Sequence, residues 1–400
     1  MTKIRVVFFL IALVVVGSFG VFASYIARGY KFNLKTFNFQ PNGILVLKSE
    51  PDGASVYIDG ELKTATNTNM PIAPGIYDVE VHKEGYFSWY KRLTIEKEVV
   101  TQADISLFKN VPSLSPVTTN GASNTVMSED GSKIAFSVLP SKDIDAEKTG
   151  LWTVDTFSFP LGFTNGPKRI TDGDLTDATY TFSPDGRQVL LTISEGDFLL
   201  DSGSFTSQKE RVNIASKKEE IMIEWKKVKE AKDQSLIKNL PPELIDVLSR
   251  KVSNFVFSPD NNLILYTASS SATLPAGLIK PLPGASTQKQ ERDIQSGRTY
   301  VYDIKEDRNF LISDQPTTID NNDQAQIQAL RWVSTSRHLL LAFPGQIIVM
   351  DYDGTNRQVV YSGSYISPSA FPFSNTTKLL ILTNLGAPTS PANLYTLTVK

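Results

Sequence analysis

The sequence predicts a mainly β protein in which an apolar amino-terminal helix precedes a small β-rich unit and a β-propeller carrying a helical insertion. Three observations lead there: an apolar run over residues 4–26, hairpin signals between 43 and 107, and one hairpin pattern returning five times between 124 and 400. The pattern is clearest at Tyr180-Thr-Phe182-Ser183-Pro184-Asp185-Gly186-Arg-Gln-Val-Leu-Leu-Thr192. An aromatic-centred strand ends at Ser183, Pro184 presets φ for a turn, Asp185-Gly186 tolerates the left-handed region, and a Val/Leu strand follows. A close copy runs from Phe255 through Phe257-Ser258-Pro259-Asp260 to Tyr266, and one without the proline runs from Leu330 through Trp332 and Ser334 to Leu341. Weaker copies centre on Met127-Ser128-Glu129-Asp130-Gly131 and on Phe373-Ser374-Asn375. A β unit this small cannot bury its own face, so copies must stack, and the radial arrangement of four-stranded sheets is a propeller. The anchors Met127, Phe182, Phe257, Trp332 and Phe373 lie 55, 75, 75 and 41 residues apart. Only the last is near the ~40–50 residues of a plain blade, so the expectation is five to six blades with insertions.

The apolar run from Ile4 to Ile26 is long enough, as a helix at about 1.5 Å per residue, to cross a hydrocarbon layer of about 30 Å. Residues 1–29 are therefore expected to be a transmembrane signal anchor. Lys3 and Arg5 precede the run and Arg28, Lys31 and Lys35 follow it, so basic residues do not fix its orientation. A large β-rich body with no further span points to a carboxy-terminal body outside the cytoplasm. Val21-Phe22-Ala23 offers the alternative of a cleaved signal peptide, with the same localisation.

Residues 30–42 read as a linker and residues 43–107 as a small unit of hairpins. Two alternating strands flank Pro51-Asp52-Gly53-Ala54, Asp59-Gly60 makes a second turn, and Pro74-Gly75-Ile76-Tyr77 and Gly85-Tyr86 introduce later strands. Together with Val56-Tyr57-Ile58-Asp59-Gly60, these elements resemble the PEGA domain, a small β-sandwich of surface and membrane-attached prokaryotic proteins. Thr68-Asn69-Met70-Pro71 departs from that family's usual Thr-Pro. The resemblance carries over no catalytic residue, since its motifs are turn glycines and strand residues, and implies binding or spacing at the cell surface. Tyr86, Phe87, Trp89 and Tyr90 are the aromatic platform to test, against the simpler reading that alternation puts two of them in the core. Tyr86, Trp89, Tyr90 and, further on, Trp225 form the candidate binding surface.

The Phe-Ser-Pro-Asp-Gly pattern resembles the repeat of TolB-like propellers, which implies a propeller over residues 124–400. The Pro/Ser/Thr-rich stretch 108–123 is a linker, or its Val111, Leu114 and Val117 add a strand to the last blade. Within the propeller, 216–250 breaks the β pattern. Ile221, Trp225 and Val228 recur at helical spacing among Lys and Glu, and Pro241-Pro242 opens a second helix. This pair is either a partner-docking arm or a helical hairpin packed back on a blade. Residues 269–297, rich in Pro, Gly, Ser and Gln, are expected to be a flexible loop.

Composition narrows the chemistry. Forty basic against 42 acidic residues leave a net charge of −2, which argues against nucleic acid as partner. With no cysteine, thiolate metal sites, disulfides and cysteine nucleophiles are absent. Asp172-Gly-Asp174-Leu-Thr-Asp177 and Asp351-Tyr-Asp353-Gly354-Thr-Asn356 begin like calcium loops, but their twelfth positions are Ser183 and Ser362 where a glutamate is required, so both read as turns. No Gly-x-Ser-x-Gly elbow is present, and with only His82 and His338 a Ser-His-Asp triad is not expected. No catalytic, metal or cofactor residue is assigned. The expectation is a membrane-anchored extracytoplasmic binding or scaffold protein of the prokaryotic envelope, with a protein or envelope polymer as ligand. The alternative is a carbohydrate-active or other hydrolytic enzyme with a site in the propeller channel.

Overall fold

The computed structural model describes residues 2–27, 30–33, 38–142, 144–157, 166–280, 288–315, 319, 328–374 and 378–400, and the chain divides into two compact units, Met1–Leu107 and Phe108–Lys280 with Lys289–Lys400. Helix α1 (Thr2–Ala27) opens the first unit. Its stretch Ile4–Ala27 has a mean hydropathy of 2.8 and none of its hydropathic window is buried within the protein. A helix is the one conformation in which such a stretch pairs its own backbone groups in an apolar surrounding, and its length, about 36 Å, suffices to cross one.

The globular part of the first unit is a two-layer sandwich. One sheet has the order Thr68–Ile72, Gly43–Glu50, Val100–Ser106, with the last two parallel. The other has the order Glu61–Ala65, Ser55–Ile58, Gly75–His82, Trp89–Ile95, all antiparallel. Period-2 alternation turns Leu45, Leu47, Val56, Ile58, Val79, Val81, Trp89 and Leu93 inward to one core. Asp59 at φ 51° and Gly60 at φ 81° make the tight hairpin turn that the Asp-Gly pair predicts.

Among the described residues the second unit holds five blade sheets in circular order, besides a two-stranded ribbon, with neighbouring blades packed face to face except between blades 2 and 3. Blade 1 comprises Ser123–Met127, Lys133–Val138, Gly150–Asp155 and Lys168–Thr171; blade 2 comprises Thr179–Phe182, Gln188–Ile193 and Gly196–Asp201. Blade 3 comprises Val252–Phe257, Leu263–Ala268, Thr299–Asp303 and Arg308–Ser313, and blade 4 Ala329–Trp332, His338–Phe343, Gln346–Asp351 and Gln358–Ser362. Blade 5 comprises Ala370–Pro372, Lys378–Thr383 and Asn393–Thr398, and its outermost strand is Ser113–Pro116, from the start of the unit. The stretch before the propeller thus ties the last blade to the first, the second of the two readings that the sequence left open. Shared cores join neighbours: Val126 and Leu151 with Tyr180 and Leu191 between blades 1 and 2, Leu265 and Phe310 with Leu330 and Met350 between blades 3 and 4, Phe136 and Val154 with Phe371 and Leu394 between blades 1 and 5.

Between blades 2 and 3 the chain departs from this scheme. Helices α2 (Lys218–Ile237) and α3 (Pro242–Arg250) follow blade 2. Ile237, Leu240, Leu244, Val247 and Leu248 cover the face of blade 3 made by Ile264, Tyr266, Tyr300 and Tyr302, the face opposite to the one packed on blade 4. At its other end α2 is tied to blade 2 by Lys218 Nζ, 2.6 Å from Asp197 Oδ1 and 2.9 Å from Thr192 Oγ1. Pro242 at the first turn of α3 and Arg250 in its last fit the ends of a helix.

Two expectations change. In the fifth repeat the register places Pro372 opposite Leu379 and Phe371 opposite Leu380, whereas Phe182 stands opposite Val189 and Trp332 opposite Leu339. Pro372, not Phe373, is therefore the structural equivalent, and the one-residue slip turns Phe371 and Phe373 to the other face, toward blade 1. The stretch 269–297 is not an open loop throughout. Ala272–Thr273 pairs with Asp293–Ile294, Leu274 and Ile294 are each 1% exposed, and Arg292 bridges buried Asp307 at 3.2 Å. Residues 281–287 of that stretch lie outside the described residues.

Candidate functional site

Alternation sorts the four candidate aromatics. Trp89 is 5% exposed and belongs to the sandwich core, which takes it out of any binding surface, and Tyr86 is half-buried against the same core. The reason is register: Trp89 stands opposite Val81, an inward position, and the strand's next residue, Tyr90, points out. Tyr90 is 56% exposed. Trp225 is half-buried on the stripe of α2 that includes Ile221, while Val228 remains exposed.

Tyr90 belongs to a row that the sequence reading missed. Across the four-stranded sheet of the first unit, Leu62 stands opposite Tyr57, Tyr57 opposite Glu80, and Glu80 opposite Tyr90. Directly opposed residues share a face, so the four side chains form one line perpendicular to the strands on the outer surface. At about 4.8 Å per strand, Tyr57 and Tyr90 are about 10 Å apart with Glu80 between them. The Tyr90 hydroxyl donates to Glu80 Oε1 at 2.8 Å, which raises the phenol pKa and holds the ring in place. In the adjacent row Arg92 Nε and Nη2 donate to Asp78 Oδ1 and Oδ2 at 2.7 and 2.8 Å, and this bidentate contact lowers the Asp78 pKa. Ile76, 63% exposed, lies beyond that pair. The signal was available from cross-strand pairing, but only after the strand partners are known.

Other polar clusters have structural partners. Asp174 Oδ1 accepts from Thr176 N and Oγ1 at 3.0 and 2.6 Å, and Asp353 Oδ1 accepts from Thr355 N and Oγ1 at 3.2 and 2.6 Å, so both acidic motifs close turns on themselves. The repeat acids do the same. Asp185 accepts from Ser183 Oγ and Arg187 N, which lowers its pKa; at Asp260 burial works upward but is outweighed by donors from Ser258, Asn262 and Ser336. His82 lies on the sandwich surface beside Ser88 Oγ at 2.9 Å. His338 is buried with Nδ1 2.8 Å from Thr335 Oγ1 and Nε2 3.6 Å from Asp351 Oδ1, the terminal pair of the two middle strands of blade 4. Arg331, on the innermost strand of blade 4, donates to the carbonyls of Pro368 and Ala370 and stacks over Phe371; burial pulls its pKa down to about 10. It fastens blade 4 to blade 5. Among the described residues no group of three or more His, Asp or Glu is arranged to hold a metal ion.

Residues 42–110 match the PEGA domain family. No curated protein matches the chain. Solved structures similar to it include a TolB-like protein of Agrobacterium tumefaciens (12% identity, 69% of this chain and 78% of the other, TM-score 0.23) and TolB of Acinetobacter baumannii (12%, 80% and 59%, TM-score 0.20). Hsv2 of a Kluyveromyces species is similar at 10% identity over 66% and 74%, with a TM-score of 0.21. At such scores the propeller assignment rests on the five sheets themselves.

Proposed function

We infer that the protein is a membrane-anchored, extracytoplasmic binding scaffold of a prokaryotic envelope, in which α1 holds the chain at the membrane while the sandwich and the propeller present surfaces to an envelope ligand. The observation that carries this reading is the state of α1: a predominantly apolar stretch of twenty-four residues, Ile4–Ala27, left unburied by the protein. Leaving that much apolar surface in water is costly at about 25 cal/mol per Å², and a lipid bilayer removes it. The match to a PEGA domain directly after the helix supports placement at the cell surface. The titratable clusters described above are spent on turns and blade contacts, which supports binding over catalysis.

Intact cells producing the full chain with a carboxy-terminal tag are treated with an added protease. Loss of the tag, with a short amino-terminal fragment remaining in the membrane fraction, is the expected result. A tag that survives on intact cells but is lost after lysis places the body in the cytoplasm and overturns the reading.

A further inference from the structure

We propose that the outer face of the sandwich sheet, along the row Tyr57, Glu80, Tyr90, is a binding platform for a β-linked polysaccharide of the envelope. The proposal rests on the scaffold reading and names its ligand class. Each pyranose of such a polymer has an apolar face of C–H groups and a rim of hydroxyls. The row offers the matching alternation: an aromatic ring, a carboxylate acceptor, a second ring, with the rings about 10 Å apart. That separation lets one chain lie across the strands with alternate sugars over Tyr57 and Tyr90 and hydroxyls directed to Glu80.

The hydrogen bond from Tyr90 to Glu80 fixes the ring before any ligand arrives, which lowers the ordering cost of stacking. Asp78 and Arg92, paired with each other, form a polar border one row away.

The mixed composition of the face argues against a folded protein as occupant. A stable protein interface removes roughly 1,200–2,000 Å² around an apolar centre. Here the exposed apolar side chains are interrupted: Glu80 stands between Tyr57 and Tyr90 in the row, and the solvated Asp78–Arg92 pair stands between that row and Ile76. A narrow, partly polar strip of this kind suits a linear polymer held weakly at each repeat and firmly by many copies of the protein.

The test uses the full chain in detergent micelles, titrated calorimetrically with chitohexaose, a soluble β-1,4-linked N-acetylglucosamine oligomer, and cosedimented with purified cell-wall sacculi. Wild-type protein is expected to bind both. Tyr90→Ala should weaken binding to chitohexaose by roughly three- to tenfold, Tyr90→Phe by less, because the ring stays and only its anchor is lost. Glu80→Gln should fall between them, and thermal unfolding of the three variants should match wild type. Absence of wild-type binding to both probes overturns the proposal. So does binding that neither Tyr90→Ala nor Glu80→Gln changes, or retention of an envelope protein in place of glycan on the same face. In each of these cases protease access on intact cells still reports separately on the scaffold reading.

Discussion

Replacing Leu244 by alanine asks whether α3 is part of the propeller or an arm extended from it. Leu244 is fully buried, among Ile264, Tyr266, Tyr300 and Tyr302 of blade 3. Removing three carbons forfeits about 2.4 kcal/mol of transfer free energy at ~0.8 kcal/mol per carbon. A cavity term is added in so far as the surroundings cannot collapse. They are poorly placed to do so. Tyr266 and Tyr300 are stacked with centroids 5.6 Å apart; Tyr266 donates to Asn309 Oδ1 at 2.8 Å, and the Tyr300 hydroxyl accepts from Gln295 N at 2.9 Å. The expected loss is therefore about 3–4 kcal/mol, within the 2–5 of buried leucine truncations. Because a chain of several units need not unfold in one step, the assay is hydrogen exchange of the blade 3 amides in the full protein. Protection in Val252–Phe257 and Leu263–Ala268 should fall by two to three orders of magnitude, at about 1.4 kcal/mol per decade. Val228→Ala, on the exposed side of α2, should change it by less than about 0.5 kcal/mol. Equal, small effects of the two substitutions would refute the assignment of α3 to the blade 3 core.

Gly150 begins a strand of blade 1 at φ +126°, and a Cβ there would press on the Thr171 carbonyl and come within 2.9 Å of Asp172 Cα. Gly150→Ala should lower stability by about 1–3 kcal/mol from backbone strain alone, read as a drop in the thermal midpoint. Alkali should destabilise the protein from about pH 10. Burial raises the phenols of Tyr266 and Tyr352 well above 10 and that of Tyr365 to about 12, so their contribution is complete below the unfolded value of 10 and is lost as pH climbs through the folded values. Arg331 opposes this, since its folded value of about 10 lies below 12.5 and deprotonation favours the fold over that interval; tyrosinate absorbance followed together with unfolding separates the two. Two lysines at the centre of α1, Val14→Lys with Val15→Lys, should each cost about 2.5–3.5 kcal/mol of insertion and release the protein from carbonate-washed membranes.

What was readable in the sequence follows the range of the forces that set it. The apolar helix and the Asp59-Gly60 and Asp185-Gly186 hairpins depend on neighbours a few residues apart, and local chemistry announces them. The fifth repeat misled because Phe371-Pro372-Phe373-Ser374 copies the aromatic spacing of Tyr180-Thr181-Phe182-Ser183, while the register is slipped by one residue. Only pairing with Leu379 and Leu380 shows that Pro372 occupies the anchor position. The stretch 269–297 misled for a related reason: its polar composition conceals that Leu274 and Ile294, twenty residues apart, meet over Tyr266 and Tyr300. The same limit governs the candidate site. Aromatic residues clustered in sequence at 86–90 drew notice, yet alternation sends Trp89 to the core and leaves Tyr90 alone outside. The companions of Tyr90 in its row, Glu80 and Tyr57, come from two other strands and are brought beside it by register. Core residues reveal themselves by hydrophobicity, whereas an outward row is defined by which strands pair and in which phase. Reading a binding face from sequence in this fold therefore requires the order and register of the strands first, and the residues second.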